Sequence, residues 1–213
     1  MLQFVLAPLF VAMVTGEGCC PPDAWEGVAG LMVGSVKDKN PHLTKGVLML
    51  HLNTTSGMIA IEEELLVDGL KMKLKVIQDY NKKTEYVIKY GKCTKTALKS
   101  SIPRCLPANA TLVENTFLGA GFENVAVKIY RFSVRGLEVY FTVTAYDCIP
   151  VVAIASGYIP DKKVSVLEVL EYSGITVGVK DPSVFDIPAI CQPVESSSEF
   201  FPVMSHWSRS VFN

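Results

Sequence analysis

The chain has 213 residues, of which 49% are hydrophobic and 19% charged, and its formal net charge is −1 at pH 7. That length supports one domain with a sizeable core, and the near-neutral balance argues against nucleic acid, which favours a clustered basic surface. Six cysteines stand against three histidines, with no paired C-x-x-C units and no histidine at ligand spacing from a cysteine, so structural disulfides are expected in place of a zinc site.

Met1 to Val14 are apolar apart from Gln3 and Pro8, and the small residues Gly16 and Gly18 follow. An apolar run this short, closed by small residues, reads as a secretory signal peptide over residues 1–18, although no Lys or Arg precedes it. No later stretch approaches the ~20 continuous apolar residues of a spanning helix. Export places Cys19, Cys20, Cys93, Cys105, Cys148 and Cys191 in an oxidising compartment. Sequence spacing leaves their pairing open.

Alternation dominates the body, residues 19–195. Val47 to Leu52 and Thr84 to Tyr90 are strand candidates. Leu70, Met72, Leu74 and Val76 oppose Lys71, Lys73 and Lys75, which read as one solvated strand face. Val125, Val127 and Ile129 oppose Lys128 and Tyr130; Leu137, Val139, Phe141 and Val143 oppose Glu138, Tyr140 and Thr142. Val164 to Tyr172 fits a strand or a short helix. Turn residues at Asn53–Gly57, Asp68–Gly69, Arg135–Gly136 and Pro160–Asp161 punctuate these runs. The period of two predicts half-buried antiparallel strands in a sandwich or open barrel. From Ser196 to Asn213 the composition shifts to serines and scattered aromatics, the pattern of a flexible tail.

Catalytic signatures are missing. There is no G-x-S-x-G elbow and no phosphate loop of Walker type. Gly119-Ala120-Gly121 starts like a dinucleotide fingerprint but carries Asn124 where the third glycine belongs. His42, His51 and His206 lie far from every cysteine, and His51 reads as an exposed strand residue. A non-enzymatic protein with no required cofactor is expected. Glu62-Glu63-Glu64 could offer calcium its oxygens, yet neighbours on a strand point to opposite faces, and a solvated charged turn is the preferred reading. Asn53-Thr54-Thr55 and Asn109-Ala110-Thr111 are glycosylation sequons, with both asparagines expected to reach solvent.

Three islands carry a family resemblance: Cys20-Pro21-Pro22-Asp23-Ala24-Trp25-Glu26-Gly27, Phe141-Thr142-Val143-Thr144-Ala145-Tyr146-Asp147-Cys148-Ile149-Pro150-Val151, and the proline-braced run Gly178-Val179-Lys180-Asp181-Pro182-Ser183-Val184-Phe185-Asp186-Ile187-Pro188-Ala189-Ile190-Cys191. They resemble ependymin-related proteins, in the family's order, over nearly all of the chain after residue 18. The resemblance implies two curved antiparallel sheets around a hydrophobic cavity, similar to the bacterial lipoprotein-carrier fold. It implies Cys20 bonded to Cys148 and Cys93 to Cys191, which leaves Cys19 for Cys105. It further implies a secreted glycoprotein that binds a lipid or other hydrophobic molecule, calcium binding with no residues assigned, and a homodimer through one sheet. The alternative is a calcium-dependent adhesion protein of the extracellular matrix, with collagen as a partner. The lysosomal lumen is a second compartment open to the family. Met49, Met58 and Met72 would suit an adaptable cavity wall.

Overall fold

The computed structural model describes residues 18–134 and 136–191. All but the last residue of the expected signal peptide 1–18, the expected flexible tail from Ser196 and His206 therefore lie outside the described residues.

Eleven strands form one antiparallel sheet, in the order β6-β5-β4-β3-β2-β1-β11-β10-β9-β8-β7. They are β1 (Ala24–Lys37), β2 (Asn40–Asn53), β3 (Met58–Val67), β4 (Leu70–Asp79), β5 (Thr84–Lys89), β6 (Lys92–Ala97), β7 (Thr111–Ala120), β8 (Glu123–Val134), β9 (Leu137–Thr144), β10 (Pro150–Ile159) and β11 (Val164–Val177). The expected two curved sheets are the halves of this single sheet, which is not closed into a barrel. One half is β1 to β6 and the other β7 to β11; β1 and β11 pair at the seam. Tight turns set the register where the sequence demanded them. Asp68 (φ 47°) and Gly69 (φ 87°) both take the left-handed conformation of a two-residue hairpin between β3 and β4.

The core lies between the halves. Ala29 and Leu31 on β1, Leu48 and Leu50 on β2, Ile59 and Ile61 on β3 and Val76 on β4 face it from one side. Leu170 on β11, Ala153 on β10, Val139 and Phe141 on β9 and Phe132 on β8 close it from the other. Leu137 to Val143 alternate inward as the pattern predicts, and Val164 to Tyr172 resolves as strand. On β8 the inward set is Tyr130, Phe132 and Val134, not the Val125-Val127-Ile129 run: Tyr130 and Phe132 sit opposite the core residues Phe141 and Val139. Val127 is buried all the same, while Val125 is half exposed.

Glu62 to Glu64 form part of β3 and not a turn. Glu62 and Glu64 point outward, where Lys75 and Lys73 pair with them. Glu63 points inward between Leu48 and Leu74.

The segment after β11 returns over the outer surface of β3 to β6. Its 3-10 turns span Pro182–Phe185 and Ala189–Cys191. Val184, Phe185 and Ile187 pack on Ala60, Ile77 and Tyr86, and Cys191 is bonded to Cys93 of β6.

Candidate functional site

A pocket opens where the two halves of the sheet diverge. Leu50, Leu52, Ile59 and Ile61 form one wall, and Phe141, Val143, Pro150 and Tyr172 the opposite one. Trp25 stands at the seam, and Pro103 and Leu106 reach in from above. Apart from the cysteines, polar side-chain atoms in the lining come from Thr54, Tyr172 and the Trp25 indole. The cavity measures about 60 Å³. Phe141 and Tyr172 meet edge to face, with ring centroids 6.4 Å apart and planes at 85°. Burial, and after it the Glu168 carboxylate, raises the Tyr172 hydroxyl above the ordinary phenol value, so it is a neutral hydrogen-bonding group at every physiological pH.

The connection from β6 to β7, residues 98–110, crosses from one free edge of the sheet to the other and roofs this pocket. Three contacts hold it to the N-terminal segment. Cys105 is bonded to Cys20, the Leu106 N–H donates to the Cys19 carbonyl at 2.9 Å, and Arg104 Nη2 lies 2.7 Å from Asp23 Oδ1. Asp23 Oδ1 also accepts from the Thr54 hydroxyl at 2.8 Å. These bonds, Arg104's first, hold the Asp23 carboxyl below its usual range.

Cys19 is bonded to Cys148 and Cys20 to Cys105, in place of the expected Cys20–Cys148 and Cys19–Cys105. Adjacent residues of an extended segment project to opposite sides. Cys19 is buried in the core and meets Cys148 at the pocket, whereas Cys20 faces out and meets the roof. The third bridge, Cys93–Cys191, ties the C-terminal segment down.

A second arrangement lies on the outer surface. Glu26 Oε2 accepts from the Lys180 backbone N–H at 3.1 Å, and Lys180 Nζ stands 3.5 Å from Oε1. His51 Nδ1 lies 3.4 Å from Glu26 Oε2. His51 is accordingly half-buried beneath the returning segment, not exposed, because Glu26 opposite it in the register anchors that segment. Lys180 is the chief cause that holds the Glu26 carboxyl below its usual value. His42, exposed near the start of β2 and of the opposite parity to His51, lies 2.8 Å from Asp68 Oδ2.

Glu63 was legible only as one of three acids. It is 1% exposed, and neither carboxylate oxygen has a hydrogen-bond partner among the described residues. Desolvation, with the Glu85 charge second, pushes its pKa up to about 8. Glu85, also buried, is bonded instead: Gln78 Nε2 donates to it at 2.8 Å and the Thr96 hydroxyl at 3.1 Å.

Of the methionines expected in a cavity wall, none lines the pocket. Met49 is exposed on the outer face, Met58 packs under the C-terminal segment, and Met72 lies against the core away from the pocket. Asn53 ends β2 half-buried, its side-chain oxygen accepting from the Ser56 N–H at 2.9 Å. Asn109 is exposed in the roof, with Nδ2 donating to the Ser133 carbonyl at 3.2 Å. Among the described residues no three His, Cys, Asp or Glu side chains are gathered to hold a metal ion, and no helix is long and apolar enough to cross a membrane.

One curved antiparallel sheet, three long-range disulfides and an apolar pocket at its open end define a disulfide-bonded all-β protein, of a kind that persists in oxidising compartments. The family model for Ependymin matches residues 68–191, more than half of the chain. The chain belongs to the ependymin family. It is 29% identical over 211 residues to ependymin-related protein 1 of Haliotis asinina, covering 90% of this chain and 98% of that one. It is 26% identical over 187 residues to mammalian ependymin-related protein 1 of Mus musculus, covering 85% and 79%. Among solved structures, a β-barrel-like protein of a domain of unknown function from Brucella abortus aligns with 75% of this chain and 100% of its own, at 8% identity and a TM-score of 0.27.

Proposed function

We propose that this protein is a secreted, non-enzymatic glycoprotein that carries a hydrophobic molecule between the halves of its sheet. The observation behind this reading is the pocket, whose walls are almost wholly aliphatic and aromatic side chains. Each Å² of apolar ligand surface removed from water there contributes roughly 25 cal/mol, and no covalent step is needed. An engineered apolar cavity of about 150 Å³ holds benzene, and the space of about 60 Å³ under the closed roof is less than half that size. Loading a whole lipid requires the roof to lift. All six cysteines are taken up in disulfides, which leaves no thiolate to act as a nucleophile. Glu63 suits an acidic compartment such as the lysosomal lumen as well as the extracellular space.

The test is lipid extraction and mass spectrometry of protein secreted from eukaryotic cells and purified without detergent. A stoichiometric hydrophobic molecule, lost in an Ile61→Trp variant that fills the pocket, supports the carrier. An empty protein that also refuses fatty acids and phospholipids refutes it. The calcium-dependent adhesion reading then takes its place, to be decided by calcium titration followed by collagen binding.

A second reading concerns assembly as a homodimer. The outer surface of β2, β1, β11, β10 and β9 carries Leu43, Val47, Met32, Val36, Leu167 and Ile154, all well exposed. A solvated sheet face would alternate to polar residues there. Gly30 and Gly34, central on β1, leave open backbone on that face, where side chains of a second sheet can approach closely. Sheet-on-sheet packing of two copies across this face is the assembly it favours.

A further inference from the structure

We infer that strand β7 is a second, independent self-association edge, which pairs antiparallel with β7 of another copy. An open sheet has two free edges, and here they are treated differently. β6 is six residues long, carries Lys92 and Lys95, and is strapped by the Cys93–Cys191 bridge. Short length, lysines and a covering segment are how edges are protected from pairing. β7 runs ten residues, Thr111–Ala120, with no lysine, no proline and one charge, Glu114. All of it is exposed except Thr116, which is intermediate. Its hairpin partner β8 is likewise exposed from Glu123 to Ala126.

Apolar side chains crowd this ribbon. Val113, Phe117, Leu118 and Val125 are each between 43% and 58% exposed, and Phe122 at the tip is fully exposed. A long, exposed, apolar edge with unpaired N–H and C=O groups is a template for another strand.

The sequence of β7 suits a copy of itself. The register against β8 shifts between Leu112 and Glu114, which leaves Glu114 to Ala120 regular, and antiparallel pairing about a twofold through Thr116 sets Thr116 opposite its own copy and Asn115 opposite Phe117. Glu114 then faces Leu118, so the two Glu114 carboxylates stand roughly 14 Å apart along the strands. Like charges directly opposite, which would be destabilising, are avoided. One strand edge pairing with its copy is a small contact by the measure of specific interfaces, which start at ~1,200 Å² in total. The association is therefore weak and concentration-dependent. Together with the outer-face dimer it would build a higher assembly, yet it requires neither that dimer nor any bound lipid.

Hydrogen exchange of the full secreted chain, followed across micromolar to near-millimolar protein, tests the edge directly. The expected result is at least tenfold slower exchange of the β7 amides at the high end, with half-protection at the concentration where sedimentation shows association. A Phe117→Lys/Leu118→Lys variant, altering only exposed side chains, is expected to weaken that association at least tenfold, while a Met32→Lys variant on the outer face leaves β7 protection in place. The inference is overturned if β7 exchange is independent of concentration, if the lysine variant sediments like the parent protein, or if protection appears only with added phosphatidylcholine vesicles. The last outcome would assign the hairpin to a membrane surface.

Discussion

Glu63 and Glu26 occupy the inner and outer faces of neighbouring parts of one sheet and behave in opposite ways. Glu63 is protonated in the fold at neutral pH, since its pKa of about 8 exceeds the ordinary glutamate value of 4.5. The folded state therefore binds more protons than the unfolded chain between those values, and stability declines as pH rises through that window. The full penalty is absent below pH 4.5 and complete above pH 8, amounting to roughly 3–5 kcal/mol. A Glu63→Gln variant should flatten this slope. Urea unfolding at pH 5 and pH 8.5 should show the parent losing stability at the higher pH and the variant losing far less. Glu26 works in the other direction, as an ionised anchor for Lys180 and His51. Glu26→Ala should speed proteolysis or hydrogen exchange of residues 178–186 several-fold while exchange in the inner core of β2 and β3 stays unchanged.

At the scale of elements, the roof loop is the part that must move if the pocket is to load. One disulfide, one ion pair and one backbone hydrogen bond tie it to the N-terminal segment, Asn109 bonds the Ser133 carbonyl of β8, the Leu98 N–H bonds the Lys83 carbonyl, and Ile102 and Leu106 pack against the core beneath it. Removing Cys20–Cys105 by a double alanine substitution leaves Cys19–Cys148 to hold the N-terminal segment. The fold should survive with about 1–3 kcal/mol less stability, below the chain-entropy maximum because the remaining bridge restrains the same segment. Uptake of a fluorescent fatty acid should become faster. Unchanged uptake, together with the expected loss of stability, would show that ligand enters by another route. Removing Cys93–Cys191 provides the contrast: it frees the C-terminal segment and should leave uptake unaltered.

For the whole molecule, continuity of the sheet through β1 and β11 makes the two halves one mechanical unit with a single outer surface. Part of that surface is covered by the chain's own return segment, part carries the Lys73–Glu64 and Lys75–Glu62 pairs, and the stretch over β2, β1, β11 and β10 exposes apolar side chains. Met32→Lys combined with Leu167→Lys should turn a homodimer into a monomer in sedimentation velocity with little change in melting temperature, because both side chains are exposed. A parent protein that is monomeric at high concentration would dismiss the outer-face dimer.

Strict alternation made β4 and β9 legible, and Asp68-Gly69 announced its hairpin, because those signals are local. β1, at the seam, was invisible as a strand: Gly27, Gly30 and Gly34 break its alternation. Gly27 is needed because a side chain there would strike Ile175, and Gly46 of β2 because a Cβ would overlap the Glu64 carbonyl oxygen. Those requirements arise only once distant strands are brought together. The six cysteines and the three family islands were likewise read from the chain. Which of two adjacent cysteines faces the core, and which of three consecutive glutamates is buried, were not, since each depends on the side of the sheet that the tertiary fold encloses. Residue pattern alone specifies a disulfide-bonded β protein of the ependymin family. The pocket's walls and roof, the buried acid and the unequal edges were decided by tertiary structure, because a period of two says that faces differ but not what each face meets.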